Sequence, residues 1–199
     1  MSQKKPITPH FLLAFKSHLN LDKPLHATFW AVCLVTLFGL LRKANLQCIG
    51  FTQFDPSKHL RGGDILFFTD WASIITRWSK TIQFSQRFLT VPLPRIAQRP
   101  LCPFSTFIGS SLHPNINWGR ADWSDLWKVW LPSKAVAPKT NKDPPQVSGH
   151  SFRSGGATLA FQAQIPAELI KRLGDWQSDT YRSYIYTSQL KIQCTQFSV

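Results

Sequence analysis

Apolar residues in the first quarter of the chain recur at helical spacing. Thr8-Pro9 is a typical helix start, and the apolar residues that follow it as far as Phe15 predict a first helix. After a connection that ends at Pro24, residues 28–41 are almost entirely apolar and predict a second, buried helix. Its apolar run is too short for a membrane span, which takes about 20 residues.

The pattern changes between Gly62 and Pro94. Three short segments there are rich in β-branched and aromatic residues: 65–68, 73–76 and 88–91. Polar turns separate them, which predicts a small antiparallel sheet with Lys80 in its middle. Residues 102–112 and the tryptophan-rich residues 122–136 predict two further helices.

The C-terminal third again carries helical signals. A proline- and lysine-rich stretch predicts an exposed loop that leads into a helix over residues 151–162, which Ser148 or Ser151 can cap. Gly155-Gly156 would let another backbone approach that helix closely. Residues 167–173 and a last helix carrying two tyrosines follow. The predicted fold class is mixed, mainly α with a small antiparallel β-sheet.

The charge balance narrows the class of partner. Lys and Arg total 23 against 10 Asp and Glu, a formal net charge of +13, which favours a polyanion such as nucleic acid. A merely soluble basic domain or a ribosomal-type protein has the same balance. Glu168 is the single glutamate, and scarce carboxylates argue against a two-metal nuclease or transposase. With 43% hydrophobic residues, residues 1–199 are predicted to form one folded domain.

The cysteines and the N-terminus indicate an intracellular protein. The four cysteines are widely separated and form no metal-binding pattern, so we expect reduced structural thiols and neither a metal nor a cofactor. Residues 1–6 show no apolar segment after their two lysines, so no secretory signal is visible.

Four residues carry the candidate chemistry. His150 and Arg153 are three apart and would project from one side of the first turn of their helix, where the helix N-terminus also favours an anion. Arg42 adds a second cation and Tyr184 a phenol. These are the groups needed to hold a phosphodiester and attack it without a metal ion. The set indicates DNA strand exchange.

The order of these residues resembles a known family. The matching residues are Arg42, Lys80, His150-x-x-Arg153, Leu173-Gly174-Asp175-Trp176 and Tyr184. They resemble the catalytic domain of tyrosine recombinases, also called phage integrases. The phrases GHSFRSGGAT, from Gly149, and LGDWQSD, from Leu173, are most similar to the branch carried by eukaryotic mobile elements such as DIRS-type retrotransposons and Cryptons. The resemblance covers about residues 6–188 and implies the tyrosine recombinase catalytic-domain fold.

The resemblance implies how the phosphate is held. Arg42 and Arg153 would clamp the non-bridging oxygens of the scissile phosphate, although Arg42 could instead cap the end of its helix. Trp176 would donate its indole N–H to the same phosphate. The family has a His or Trp at this position, and ungapped counting back from Tyr184 assigns it to Asp175, one residue before Trp176. A carboxylate would repel phosphate, so Trp176 is preferred. As one of eight tryptophans, Trp176 could also be a core residue.

The resemblance also implies a nucleophile. Tyr184 would attack phosphorus and form a 3′-phosphotyrosyl bond, which a second 5′-hydroxyl can reverse without ATP. Tyr181 and Tyr186 are its competitors, and Tyr184 is preferred because its spacing from Thr180 fits the family pattern. His150 would assist proton transfer, although a histidine here could equally be a surface or capping residue.

Lys80 is the implied general acid for the leaving 5′-oxygen. Arg77 and Arg87 are its rivals, and the position of Lys80 before the third strand segment favours it. One departure from the family pattern lies nearby: the acidic residue that commonly follows Arg42 by three positions is Asn45 here, which is expected to weaken the orientation of Arg42.

Three functions stay open at this point. The first is DNA cleavage and rejoining in site-specific recombination or mobile-element integration. The second is a catalytically inactive or incomplete DNA-binding remnant, and the third is a type IB topoisomerase, which uses the same chemistry on a related fold. Family members usually carry an N-terminal helical domain that clamps the other face of DNA, and this chain is expected to lack it.

The resemblance also implies a binding partner, an oligomeric state and a cellular location. Double-stranded DNA is the expected partner, bound by a homotetramer, since recombination needs four active sites. Neighbours in such tetramers usually exchange a C-terminal segment, for which residues 190–199 are the candidate. No membrane partner is expected. The eukaryotic-element resemblance implies action in the nucleus.

Overall fold

Helices and one small sheet form the part of the chain that the structure describes. The computed structural model describes residues 6–46, 55–79, 81–82, 87–96, 100–109 and 148–186. In chain order the elements are α1 (Pro9–Lys16), α2 (Pro24–Phe38), α3 (Lys43–Leu46), β1 (Ile65–Phe67), β2 (Trp71–Thr76), β3 (Leu89–Pro94), α4 (Pro103–Gly109), α5 (Gly149–Gln162) and α6 (Ala167–Leu173). Two 3₁₀ helices, Gly62–Asp64 and Asp179–Tyr184, precede β1 and follow α6. The predicted fold class, mainly α with a small antiparallel sheet, is confirmed.

The first two helices begin at prolines, as their sequence favours. The Thr8 hydroxyl accepts a hydrogen bond from the Phe11 amide at 3.2 Å, and Pro9 fills the first turn, where no donor is needed. For the same reason α2 begins at Pro24 rather than at residue 28. It ends at Phe38, earlier than predicted, because Gly39 caps it and Leu40 adopts a left-handed conformation with φ of 51°.

The sheet has the strand order β1-β2-β3 and is antiparallel throughout, as predicted. Ile74 in the central strand pairs with Ile65 on one side and Val91 on the other. Buried and exposed residues alternate along β3, which extends to Pro94, beyond the predicted end at residue 91. Prolines fit this strand because it lies at an edge of the sheet, where an N–H donor is not needed on both sides.

Helix α5 packs with very little space against α2 and against the segment before α1. A methyl group at Gly155 would lie 3.0 Å from the Ile7 carbonyl carbon and closer still to its oxygen. At Gly156 it would lie 3.0 Å from the Leu37 carbonyl carbon, again with the oxygen closer. The Ile7 amide also donates to the Ser151 carbonyl at 3.0 Å. The predicted close approach of another backbone at these glycines is therefore confirmed.

The remaining helix predictions have mixed outcomes. Helix α4 and the helix over 167–173 are present, and the last predicted helix is the 3₁₀ helix Asp179–Tyr184, with Ser178 before its first residue. Lys80, Cys48, Cys194 and residues 122–136 and 190–199 lie outside the described residues. None of the helices within the described ranges is long and apolar enough to span a membrane.

Candidate nucleophile and anion-binding site

Four of the predicted site residues contact one another although they come from three separate elements. The Arg153 guanidinium carbon, from the first turns of α5, lies 3.8 Å from the ring centroid of Trp176 and 5.5 Å from that of Tyr184. The Tyr184 ring lies 4.7 Å from the His150 ring and 5.1 Å from the Trp176 ring, between centroids. A phenol, an imidazole, an indole and a guanidinium therefore share one site.

Arg153 connects two turns that lead to other site residues. Its side chain is 3% exposed, and its two terminal nitrogens donate to the carbonyl oxygens of Leu40 and Gly174. The first carbonyl belongs to the turn after α2, which leads to Arg42, and the second to the turn after α6, which leads to Trp176. Both turns contain a non-glycine residue in the left-handed region, Leu40 with φ of 51° and Asp175 with φ of 53°. Arg153 thus holds two strained turns beside α5.

The site carries an excess of positive charge. Burial, and next the neighbouring Arg42 cation, lower the pKa of Arg153 to about 9, so the guanidinium is still protonated at neutral pH. Tyr184 and Asp175 oppose this shift. Within the described ranges neither Arg42 nor Arg153 forms a salt bridge with a carboxylate. An anion between the two guanidinium groups would relieve their mutual repulsion.

Two buried N–H donors in the site have no acceptor among the described residues. They are Arg153 Nε and Trp176 Nε1. A buried donor without an acceptor costs about 1–3 kcal/mol, so a ligand with acceptor oxygens would stabilise this pair. Gly174 makes the position of the indole possible, because a methyl group there would lie 2.6 Å from Cη2 of the Trp176 ring.

The Asp175 carboxylate makes its hydrogen bonds with residues beside the sheet. Its carboxylate accepts hydrogen bonds from the Ser79 hydroxyl at 2.9 Å and from the Thr81 hydroxyl, and it pairs with Arg87. Burial raises the pKa of Asp175, but the hydrogen bonds from Thr81, Arg87 and Ser79 outweigh it and lower the pKa overall. Of the two residues that compete for this position, Trp176 contacts Arg153 and Tyr184, whereas Asp175 contacts the segment around residue 80.

The three tyrosines have different surroundings. Tyr181 is 4% exposed and lies against Trp176, with 6.4 Å between ring centroids. Burial raises the pKa of Tyr186, whose amide donates to the Thr158 hydroxyl at 3.2 Å. Tyr184 is only half-buried, and its ring is the one that contacts both His150 and Arg153. The preferred tyrosine is therefore the one that an anion bound beside Arg153 would meet.

The rivals of Lys80 are both paired with carboxylates. Arg77 forms a salt bridge with Asp64, and Arg87 with Asp175. Lys80 itself lies outside the described residues, between Ser79 and Thr81. Within the described ranges, no group of three or more His, Cys, Asp or Glu residues could hold a metal ion.

Asn45 has a role that the sequence did not reveal. Its side-chain oxygen accepts from the Arg42 amide at 3.1 Å, and its side-chain nitrogen donates to the Trp78 carbonyl at 2.8 Å. It therefore connects the turn that carries Arg42 to the segment that follows β2. An aspartate could accept the first bond but could not donate the second, so the asparagine suits this structure.

Comparison with known proteins places the fold. No protein-family model and no curated protein matches the sequence. The chain is similar to the XerH site-specific recombinase in a post-cleavage complex with palindromic difH substrate, at 16% identity and a TM-score of 0.61 over 98% of this chain and 52% of that one. For the XerH pre-cleavage complex with difH substrate the identity is 15% and the TM-score 0.59, over 100% of this chain and 56% of that one. For the XerA recombinase the identity is 15% and the TM-score 0.54, over 100% of this chain and 66% of that one. This chain thus has the tyrosine recombinase catalytic-domain fold and spans about half the length of the XerH chains.

Proposed function

We propose that this chain, which has the fold of a tyrosine recombinase catalytic domain, cleaves and rejoins DNA strands through a covalent bond between Tyr184 and a 3′-phosphate. One observation carries the proposal. The Tyr184 ring lies against His150 and Arg153 in a site where two guanidinium groups form no salt bridge with a carboxylate among the described residues. A phenol beside unpaired cations is arranged to attack an anionic ester.

The phosphate would bind where donors lack acceptors. Arg153 Nε and Trp176 Nε1 would donate to non-bridging oxygens, and the Arg42 guanidinium would neutralise charge from the other side. These donors stabilise the extra negative charge of the pentacoordinate transition state, where removing one donor typically costs about 10²–10³ in rate.

The proposed reaction is a transesterification. The Tyr184 oxygen forms a bond to phosphorus as the bond from phosphorus to the 5′-oxygen breaks. His150 assists removal of the phenolic proton, and Lys80 gives a proton to the leaving 5′-oxygen. A 5′-hydroxyl from the same or another strand reverses these steps, so one phosphodiester is regenerated for each one broken.

The partner, the oligomeric state and the origin of the chain are further parts of the proposal. We propose double-stranded DNA as the partner, supported by the net charge of +13 and by the complexes of XerH with its difH substrate. A homotetramer is proposed because strand exchange between two duplexes needs four nucleophiles. The GHSFRSGGAT and LGDWQSD phrases support an origin in eukaryotic mobile elements and integration in the nucleus.

A covalent adduct tests the proposal directly. The chain is incubated in magnesium-free buffer with duplexes of randomised sequence, each nicked so that the cleaved end diffuses away, and the reaction is quenched with detergent. The expected result is a protein–DNA adduct whose DNA, once sequenced, also reveals the target site. Tyr184→Phe should form no adduct, whereas Tyr181→Phe, which alters a buried tyrosine beside the same tryptophan, should still form one.

The other outcomes favour other functions. DNA binding without an adduct from the wild-type chain would favour the inactive DNA-binding remnant. If the chain forms an adduct and relaxes supercoiled DNA but never joins two duplexes, a type IB topoisomerase activity would be favoured. An adduct that persists in Tyr184→Phe would show that the nucleophile lies elsewhere.

A further inference from the structure

Asp175 is a buried carboxylate beside the site that the proposed chemistry does not use. We propose that Asp175 is a positioning residue, which holds the segment that carries Lys80 in place by accepting hydrogen bonds from Ser79 and Thr81 on either side of it. The inference rests on the proposed function, because it assigns Asp175 a part in delivering the general acid.

The contacts of Asp175 are directed at this segment. One carboxylate oxygen accepts from the Ser79 hydroxyl at 2.9 Å and from the Thr81 hydroxyl, and the other oxygen pairs with Arg87. Asp175 is 5% exposed, so the carboxylate is well removed from water. Hydrogen bonds to a buried charge are stronger than those between neutral groups, which makes this an effective anchor.

The anchor extends into the backbone of the segment. The Ser79 hydroxyl, which donates to Asp175, accepts from the amides of Thr81 at 3.1 Å and Ile82 at 3.0 Å. The Ser79 amide in turn donates to the Ile82 carbonyl at 3.0 Å. The backbone on both sides of Lys80 is therefore connected to the Asp175 carboxylate through one hydroxyl.

A second anchor holds the same segment from the opposite direction. Asn45 donates to the Trp78 carbonyl at 2.8 Å while it accepts from the Arg42 amide. The segment is thus fixed at Trp78 to the turn that carries Arg42, and at its next residues to the turn that carries Trp176. Both turns belong to the proposed phosphate site, so the two anchors connect residues 78–79 and 81–82, which flank Lys80 in the sequence, to that site.

A direct role for Asp175 at the phosphate is disfavoured. Both of its oxygens already accept from donors on the sheet side, and a carboxylate would repel the phosphate that the guanidinium groups attract. Its left-handed backbone, with φ of 53°, restricts substitution, because asparagine and aspartate adopt that region more readily than other side chains. Asp175→Asn therefore removes the charge with little backbone strain.

The test uses two DNA substrates that differ in the leaving group. One is an ordinary nicked duplex and the other carries a 5′-bridging sulfur at the scissile position. A thiol is far more acidic than an alcohol, so the sulfur leaves without a proton donor. In Asp175→Asn, covalent adduct formation with the ordinary DNA should fall at least about 10-fold, because general acid catalysis contributes about 10²–10⁴. With the sulfur substrate the rate should return to within about threefold of wild type, an estimate that follows if only the proton donor is lost.

Matched variants separate positioning from a general structural role. Ser79→Ala combined with Thr81→Val, which leaves the carboxylate with Arg87, should show the same defect and the same recovery. Ser178→Ala removes an exposed hydroxyl three residues from Asp175 that bonds to Thr180, and both substrates should react at the wild-type rate. Arg153→Ala should slow both substrates, because it acts on the phosphate rather than on the leaving group.

Two results would overturn the inference. Equal slowing of both substrates in Asp175→Asn would mean that the residue supports the fold and not the proton donor. Amide hydrogen exchange gives a second readout that needs no activity: exchange at Thr81 and Ile82 should be faster in Asp175→Asn, and unchanged exchange would refute the anchor. If the wild-type chain forms no adduct with either DNA, the proposed function fails, while the exchange experiment still decides whether Asp175 holds the segment.

Discussion

Replacing Gly156 with alanine should destabilise the protein, although helix propensity predicts the opposite. Gly156 lies within α5, and an added methyl group would lie 3.0 Å from the Leu37 carbonyl carbon, closer to its oxygen, and 2.5 Å from Leu40 Cδ2. Favourable carbon contacts begin at about 3.5 Å, so α5 and α2 would have to separate by about 0.5–1 Å. Two of these neighbours are backbone atoms, which cannot rotate away.

The magnitude follows from two opposing contributions. Alanine in a helix interior is favoured over glycine by about 0.8–1.0 kcal/mol. Overpacking costs typically about 1–3 kcal/mol, and a clash with backbone belongs at the upper end of that range. The net loss should be about 2 kcal/mol, which lowers the melting temperature of a chain of this size by about 4–8 °C.

The assay is thermal and urea unfolding of Gly156→Ala beside the control Gly63→Ala. Gly63 has no atom within 4 Å of an added methyl group, so the control should differ from wild type by less than about 0.5 kcal/mol. Separation of α5 from α2 also moves Arg153 relative to the Leu40 carbonyl, so DNA adduct formation should fall by up to about 100-fold. A Gly156→Ala chain that melts at or above the wild-type temperature would refute the packing argument.

Three further predictions follow from buried polar contacts. The pKa of Asp175 is lowered in the folded chain, so the stability it contributes should be complete well above the ordinary aspartate pKa of about 3.9 and lost as pH falls through the lowered pKa, which urea unfolding of wild type and Asp175→Asn across pH will show. Asn45→Ala removes the bridge between the Arg42 turn and Trp78, and should lower the free energy of unfolding by about 1–3 kcal/mol. Thr158→Val keeps the side-chain shape but removes the acceptor of the Tyr186 amide, so it should cost about 1–3 kcal/mol in urea unfolding.

Local signals predicted the elements well, because those signals act within a few residues. Thr8-Pro9, the glycine pair in α5 and the β-favouring residues of the third strand segment each specify local backbone or packing, and the structure has the expected feature at each. Element ends were less predictable. Helix α2 extends to Pro24 because proline is tolerated in the first turn, and it stops at Phe38 because Leu40 is held in a left-handed turn by a distant side chain.

The candidate site shows where reasoning from the sequence ends. Spacing along one helix predicted that His150 and Arg153 project from one side of its first turn, and in the structure the Tyr184 ring contacts both. The partners of Asp175 could not be predicted, because Ser79 and Thr81 are more than ninety positions away along the chain. Asn45 was expected to be a weaker substitute for an acid, and only its contact with Trp78 shows why an amide fits.

Arg153 can have a structural role and a functional role at the same time. Its two bonds to backbone carbonyls alone would make it a structural residue that fixes the turns carrying Arg42 and Trp176. Those bonds leave the buried positive charge beside Arg42 without a salt bridge to a carboxylate among the described residues, and its Nε without an acceptor there. An anion with several oxygens would give these donors acceptors, and the same guanidinium that orders the two turns would place that anion against the Tyr184 ring.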